Sequence, residues 1–565
     1  MKLSPPGILA AAFVVAGSPF ALADVSLPAI FGDHMVLQRD GAVPVWGHAD
    51  PGEKVTVSAA GASASATAGP DGKWSVRLKN LPPSATPVEV TVQGKNKLTF
   101  SDVLVGDVWV CSGQSNMAFG IREDASSKAE IAQANFPQIR FFYVPRAVAP
   151  QPAADIKAAP AGSTQGSWQV CTPESLSKLG FSAVGYYFGK DIHQATKQPV
   201  GLIESAWGGT VAQAWTSLET LKKTPGLENL ATAAQKFSEN FQTNLEAYGP
   251  ALEKYKVDLA QWKEANKEAL EAYKTALAQW QTDAKQAVAE GKPAAPKPTP
   301  VSEPKAPVSP DQSPNNPTGL YNGMIAPIVP YGIKGAIWYQ GESNASQAVV
   351  YRTLFPAMIA DWRGHWAQGD FPFLFVQLAN YMARKPEPGD SSWALLREAQ
   401  LKTLSVPNTG MAVIIDLGEG SDIHPKDKWD VGARLALAGR HVAYGEKLAY
   451  SGPIYKALKV EGNQARLTFD HTDGGLTIGV PPEHFHPGEP RTAAPELQGF
   501  AIAGADNKFV WAKAKIDGDT VVVSAEGVTA PVAVRYAWAD NPEANLYNKA
   551  GLPASPFRTD TDEKK

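Results

Sequence analysis

The sequence predicts an α/β protein: a parallel sheet wrapped by helices, with a β unit before it, another after it and a helical insertion inside it. Three observations predict this. Between residues 101 and 444, short apolar runs alternate with helical patterns, the rhythm of a parallel sheet with crossover helices. Residues 24–100 and 445–565 instead carry short alternating runs cut by Asp-Gly, Pro-Gly and Gly-Gly turns, the texture of β-sandwich-like units. Residues 218–317 break the central rhythm with a stretch rich in Ala, Lys and Glu that ends in a Pro-rich run.

The elements follow in order. The start, "MKLSPPGILAAAFVVAGSPFALAD", has a basic residue, an apolar stretch over 8–16 and the small residues Ala21-Leu22-Ala23. It reads as a secretory signal peptide over 1–23, cleaved after Ala23, which predicts a secreted or periplasmic protein. Nothing later approaches the roughly 20 apolar residues that span a bilayer. In 24–100, Pro70-Asp71-Gly72 is a turn before Trp74, Val76 and Leu78. The sheet domain is expected in two parts, 101–217 and 318–444. Its strands and helices are read from "VLVGDVWV", "SAVGYYFGKDIHQAT", "PVGLIESAWGG", "IKGAIWYQGESN", "YRTLFPAMIADWRGHW", "FPFLFVQLAN" and "MAVIIDLG". Within the insertion, Tyr255, Leu259, Trp262, Leu270, Tyr273, Leu277 and Trp280 recur at three- and four-residue steps, with one longer gap. That predicts an amphipathic helix folded back on a partner helix from 226–248. Its rings are expected to close that hairpin or to wall a cleft.

A chain of 565 residues needs several cores. Charged residues are 19% and the formal net charge is -4, with no basic stripe, so no nucleic-acid partner is expected. Cys111 and Cys171 are the two cysteines; they could pair in an oxidising compartment or stay as small buried hydrophobes.

The chemistry concentrates at strand ends, where parallel sheets bind ligands. The run Val103–Val110 stops at Cys111-Ser112-Gly113-Gln114-Ser115-Asn116-Met117. Such residues suit a plain turn, but they also suit a serine nucleophile, which needs a base and oxyanion donors. Of nine histidines, His424 lies in a loop after an apolar strand, two residues from Asp422. Further strand ends carry Trp207-Gly208-Gly209-Thr210 and Gln340-Gly341-Glu342-Ser343-Asn344. Glycines there let main-chain N–H groups approach a substrate.

This set of blocks, "GQSNM" at 113–117, "WGGT" at 207–210, "WYQGESN" at 338–344 and "DIHPKDKWDVGARLA" at 422–436, resembles the SGNH-type carbohydrate esterases. The branch is that of sialate O-acetylesterases and related plant-polysaccharide acetylesterases. The tail "VRYAWADNPEANLYNKAGLPASPFRTD" is similar to theirs. The resemblance implies an SGNH three-layer fold and an acetylated carbohydrate as substrate. It also implies Ser115 as nucleophile, His424 as base and Asp422 as its orienting acid. Neither a metal nor another cofactor is expected. The implied oxyanion hole takes the N–H groups of Ser115 and Gly209 and a side chain of the third block, for which Gln340 is the donor, since ionised Glu342 has no proton to donate. Glu342 is the alternative orienting acid, or a support for the loop carrying Ser115. Gln114, Asn116, Trp207 and Asn344 are the candidate substrate contacts. A lipase or peptidase is a competing reading, without a Gly-x-Ser-x-Gly elbow; a sugar-binding protein without catalysis is another.

Overall fold

The structure, a computed structural model, describes residues 24–79, 81–289, 295–481 and 494–560. The expected signal peptide with its cleavage after Ala23, and the histidines His484 and His486, lie outside the described residues.

Among the described residues, the main path of the central sheet runs through seven strands, β1 Lys97–Gly113, β2 Phe136–Tyr143, β3 Trp168–Cys171, β4 Val200–Ala206, β5 Gly335–Tyr339, β6 Phe373–Gln377 and β7 Thr409–Val413. Their order is β7-β6-β5-β1-β4-β2-β3. All neighbours are parallel except the edge strand β3, which runs antiparallel to β2. Gly113, the last residue of β1, pairs with Ala206 of β4 on one side and Tyr339 of β5 on the other. Three of the polar blocks therefore emerge side by side from the same sheet edge.

Alternation along the strands builds the layers, because successive strand residues face opposite sides. Ile337, Tyr339, Leu374 and Val376 face helices α1 Ala183–Thr196 and α6 Lys428–Tyr444. Trp338, Phe373, Phe375 and Val413 face α4 Ala348–Trp366 and α5 Ser392–Lys402. Both strand faces are covered, which is why these strands read as unbroken apolar runs.

β1 runs without a break past residue 100. Its first half pairs antiparallel with Ser84–Gln93 of the N-terminal unit before its second half enters the parallel sheet. In that unit Trp74, Val76 and Leu78 alternate inward along Lys73–Leu78. Among its described residues the C-terminal unit has two four-stranded antiparallel sheets, around Leu467, Val521, Ile502, Val534 and Phe557, and a two-stranded one that pairs Leu476–Ile478 with Leu546–Asn548. Cys111 and Cys171 are both buried and unpaired.

The insertion departs from expectation. α2 Glu228–Ala265 runs 38 residues through Gly249-Pro250, and α3 Lys267–Ala289 follows at once after Asn266. The expected partner from 226–248 does not fold back, because residues 228–248 are the first half of α2 itself. Pro250 is exposed and interrupts the hydrogen-bond ladder of α2 without ending the helix, which continues on both sides of it. The aromatic stripe is covered instead by the Pro-rich run. Pro298, Val301, Pro304, Pro307 and Pro310 are half-buried at every third position, the period of a polyproline-II face. The Trp280 indole donates to Ala295 O at 2.6 Å, and Pro307 and Pro310 share a groove with Phe237, Tyr248 and Ala251. Because Ala251 and Pro307 line one groove, a short Gly/Ser loop can join them and remove 252–306. That variant is expected to keep kcat/KM on a small acetate ester within about twofold. A fall confined to acetylated oligosaccharides would assign the distal insertion to binding remote parts of the sugar.

Candidate active site

The turn after β1 is forced by its neighbours. Gly113 has φ +139°, and a Cβ there would lie 2.1 Å from Tyr339 O. Only glycine lets the chain leave the sheet so close to β5. Gln114 N–H then donates to Tyr339 O, and Met117 and Ala118 N–H both donate to Gln114 O. This one-turn knot lifts Ser115, half-buried, out of the sheet edge.

Ser115, Ala118, Phe119, Glu123, Arg146, Trp207, Gly208 and His424 line a single cavity of about 360 Å³. The structure thus brings Ser115 and His424 together from 309 residues apart in sequence. Gly208 abuts the serine: a Cβ on it would sit 3.2 Å from Ser115 Cβ. Among the described residues, no acceptor takes the N–H of Ser115, Gly208 or Gly209. A larger hollow of about 640 Å³, between the 415–421 loop and the C-terminal unit, contains neither Ser115 nor His424.

His424 sits on the loop between β7 and α6. Asp416, at the loop's start, is held by a two-pronged buried pair with Arg434 of α6, at 2.6 and 2.7 Å, and by the Tyr547 hydroxyl. Nearer the base, Asp422 Oδ1 accepts the His424 N–H at 2.9 Å and lies 3.5 Å from its Nδ1. Phe119 stacks 6.4 Å from the imidazole. His365 is elsewhere, on α4, with its Nε2 3.3 Å from the buried Asp361.

The third block is placed differently from the sequence reading. Gln340 is fully buried, and its Nε2 donates to Thr210 O at 3.1 Å and Asn344 Oδ1 at 2.7 Å. With both N–H bonds committed, Gln340 supplies no oxyanion donor; it fastens the Thr210 loop from beneath. Asn344 is not at the cavity either: it is buried, donates to Gln213 Oε1 and accepts from Ala212 N–H. Gln114, also buried, turns its Oε1 to the N–H groups of Gly341 and Ser343. Of the four candidate substrate contacts, Trp207 alone lines the cavity.

Asn116 belongs to a buried relay that the sequence reading did not foresee. Its Nδ2 donates to Glu342 Oε1 at 2.6 Å and to Ile423 O at 3.1 Å, and its Oδ1 accepts from Lys428 Nζ at 2.6 Å. Glu342 thereby grips the turn carrying Ser115 and, through Asn116, the chain just before His424. Burial raises the Glu342 pKa, and its Oε2 has no hydrogen-bond partner among the described residues. Lys428 is fully buried, its ammonium 4.6 Å from the Phe119 ring. Burial pushes its pKa down to about 7, against the pull of Glu342. The only sequence signal for Lys428 was a lysine opening a helix that otherwise faces the core. Arg146 was also missed: it is exposed at the cavity, 5.8 Å from the Trp207 ring, and no carboxylate of the described residues pairs with it.

Comparison with known proteins agrees with this architecture. A family model described as carbohydrate esterase, sialic acid-specific acetylesterase, matches residues 312–439. The mouse (Mus musculus) sialate O-acetylesterase is 30% identical, over 93% of this chain and 92% of its own. The human (Homo sapiens) one is 28% identical, over 93% and 90%. The crystal structure of a carbohydrate acetylesterase from Xanthomonas citri is 37% identical and superposes with a TM-score of 0.72, covering 95% of this chain and 100% of that one. With its SGNH-type three-layer sheet and its order of blocks, the chain belongs to the sialate O-acetylesterase family of carbohydrate esterases.

Proposed function

We propose that this carbohydrate O-acetylesterase is an exported serine esterase that works through an acetyl-enzyme on Ser115. The observation that supports it is the shared cavity of Ser115 and His424, walled by Gly208 and bordered by main-chain N–H groups without acceptors. Ser115 Oγ attacks the acetyl carbonyl while the His424 imidazole takes its proton. The oxyanion that forms is met by the N–H groups of Ser115 and the Gly208-Gly209 turn. His424 returns the proton to the departing sugar hydroxyl, then activates water to release acetate. Trp207 offers an apolar face to the sugar. Arg146 suits a carboxylate, which favours an acetylated sialic acid over the alternative, a neutral plant polysaccharide such as acetylated xylan or xyloglucan.

The test is acetate release, followed by mass spectrometry, from a panel of acetylated sialosides and plant oligosaccharides. Chromogenic acetate, butyrate and longer esters run alongside it. Preference for acetate supports the reading, long-chain preference makes the protein a lipase-like hydrolase, and sugar binding without turnover makes it a binding protein. Export is checked by sequencing the N-terminus of the secreted or periplasmic product, expected at Asp24.

Asp422 is proposed to orient His424, with Glu342 supporting the Ser115 turn. Asp422→Asn is therefore expected to cost about 10²-fold in kcat. That is below the ~10⁴ of a buried triad, because the ring contact is 3.5 Å and both side chains are about one-third exposed. Glu342→Gln keeps an acceptor for Asn116 and is expected to cost less. Measured kcat values in the reverse order would assign the orienting acid to Glu342.

A further inference from the structure

We infer that Asn315, the residue that brings the insertion back to the sheet, is a positioning residue for the oxyanion loop. This rests on the serine-esterase reading above. The loop that follows β4 has few internal restraints: Thr210 Oγ1 donates to Trp207 O at 2.7 Å, and Gly209 sits at φ +72°. Two glycines in succession would leave such a loop many conformations. The structure removes that freedom from outside. The Asn315 amide donates from Nδ2 to Gly209 O at 3.0 Å and accepts at Oδ1 from Val211 N–H, also at 3.0 Å. One planar side chain thus holds the carbonyl before Thr210 and the N–H after it, which sets the backbone of Thr210 between them.

The opposite side is held as well. Gln340 Nε2 donates to Thr210 O, and the Trp215 indole donates to Thr210 Oγ1 at 3.0 Å. At the loop's start, Trp207 N–H donates to Gly113 O at 3.1 Å. Each of these hydrogen bonds falls on a carbonyl, a hydroxyl or an N–H at the loop's ends. Among the described residues, the N–H groups of Gly208, which abuts Ser115, and of Gly209, next along the loop, stay unspent. Donors fixed before the reaction need no reorganisation when negative charge develops on the substrate oxygen, so loosening the clamp acts on the transition state. The clamp also couples two distant pieces of sequence: Asn315 closes the Pro-rich return of the insertion, five residues beyond Pro310, which packs along α2.

Asn315 is exposed, so its replacement leaves the core intact. Asn315→Ala is expected to lower kcat on 4-nitrophenyl acetate about tenfold or more, with KM within about twofold and an unchanged thermal midpoint. Inhibition by methylboronic acid, whose tetrahedral serine adduct places an oxygen in the same hole, should weaken by the same factor. Asn315→Asp keeps an acceptor for Val211 N–H and loses the donor to Gly209 O, so it should also be impaired. Wild-type kcat in either variant overturns the inference, as does a loss explained wholly by an unfolded fraction. Full turnover in Asn315→Ala beside none in Ser115→Ala would remove this inference and leave the esterase reading standing. Turnover retained in Ser115→Ala would remove the esterase reading itself.

Discussion

Ser115→Ala is expected to lose about 10³-fold or more in turnover of an acetate ester while folding like the parent. The expectation is large because no other hydroxyl or thiol in the cavity can take the acetyl group: its other linings are Ala118, Phe119, Glu123, Arg146, Trp207, Gly208 and His424. The fold should hold because Ser115 Oγ makes no hydrogen bond within the described residues, and the turn is kept by Gln114 and Asn116 on either side. Steady-state rates with 4-nitrophenyl acetate, together with a trapped acetyl adduct in the mass spectrum, check it. Near-parental turnover in the alanine variant would remove Ser115 as nucleophile.

His424→Ala should be comparably damaging, since the imidazole is the ring base that shares the cavity with Ser115 and is assigned its proton. His424 is about one-third exposed and lines the cavity, so added imidazole has room to enter and should restore part of the rate. His365→Ala is the contrast. His365 lies against Asp361, whose carboxylate also receives the Ser217 N–H and the Ser217 and Thr220 hydroxyls. Its loss should lower the thermal midpoint and spare kcat per folded molecule. Hydrogen bonding to Asp361 raises the His365 pKa above 6.5. The stabilisation is then complete below about pH 6.5 and fades as pH rises through the higher folded value. The gap in thermal midpoint between parent and His365→Ala should therefore be wider at pH 5.5 than at pH 8.5. If His365→Ala abolishes turnover in a folded protein, the base is misassigned.

What the sequence by itself determined was the parallel sheet, the alternation of its strands and helices, and the blocks at its edge. Those are local signals: a strand buried on both faces must be apolar along its length, and the chain must leave it through small polar residues such as Gly113 to Asn116. That Ser115 and His424 meet was legible only because each block falls at a strand's carboxyl end, and a parallel sheet puts those ends on one side. The tertiary structure decided what each polar side chain faces. Gln340, Asn344 and Gln114 look in sequence like groups for a substrate; the neighbouring backbone claims their amides first, because a buried polar atom must find a partner. Asn315 and Lys428 carry no such signal in sequence, since their partners, Gly209 and Asn116, are 106 and 312 residues away. The insertion shows the same limit. The three- and four-residue spacing of its rings specified a helix with one apolar stripe, but a stripe says only that something must cover it. That the cover is an extended proline-rich return, not a second helix, depends on packing across the chain, which periodicity does not encode.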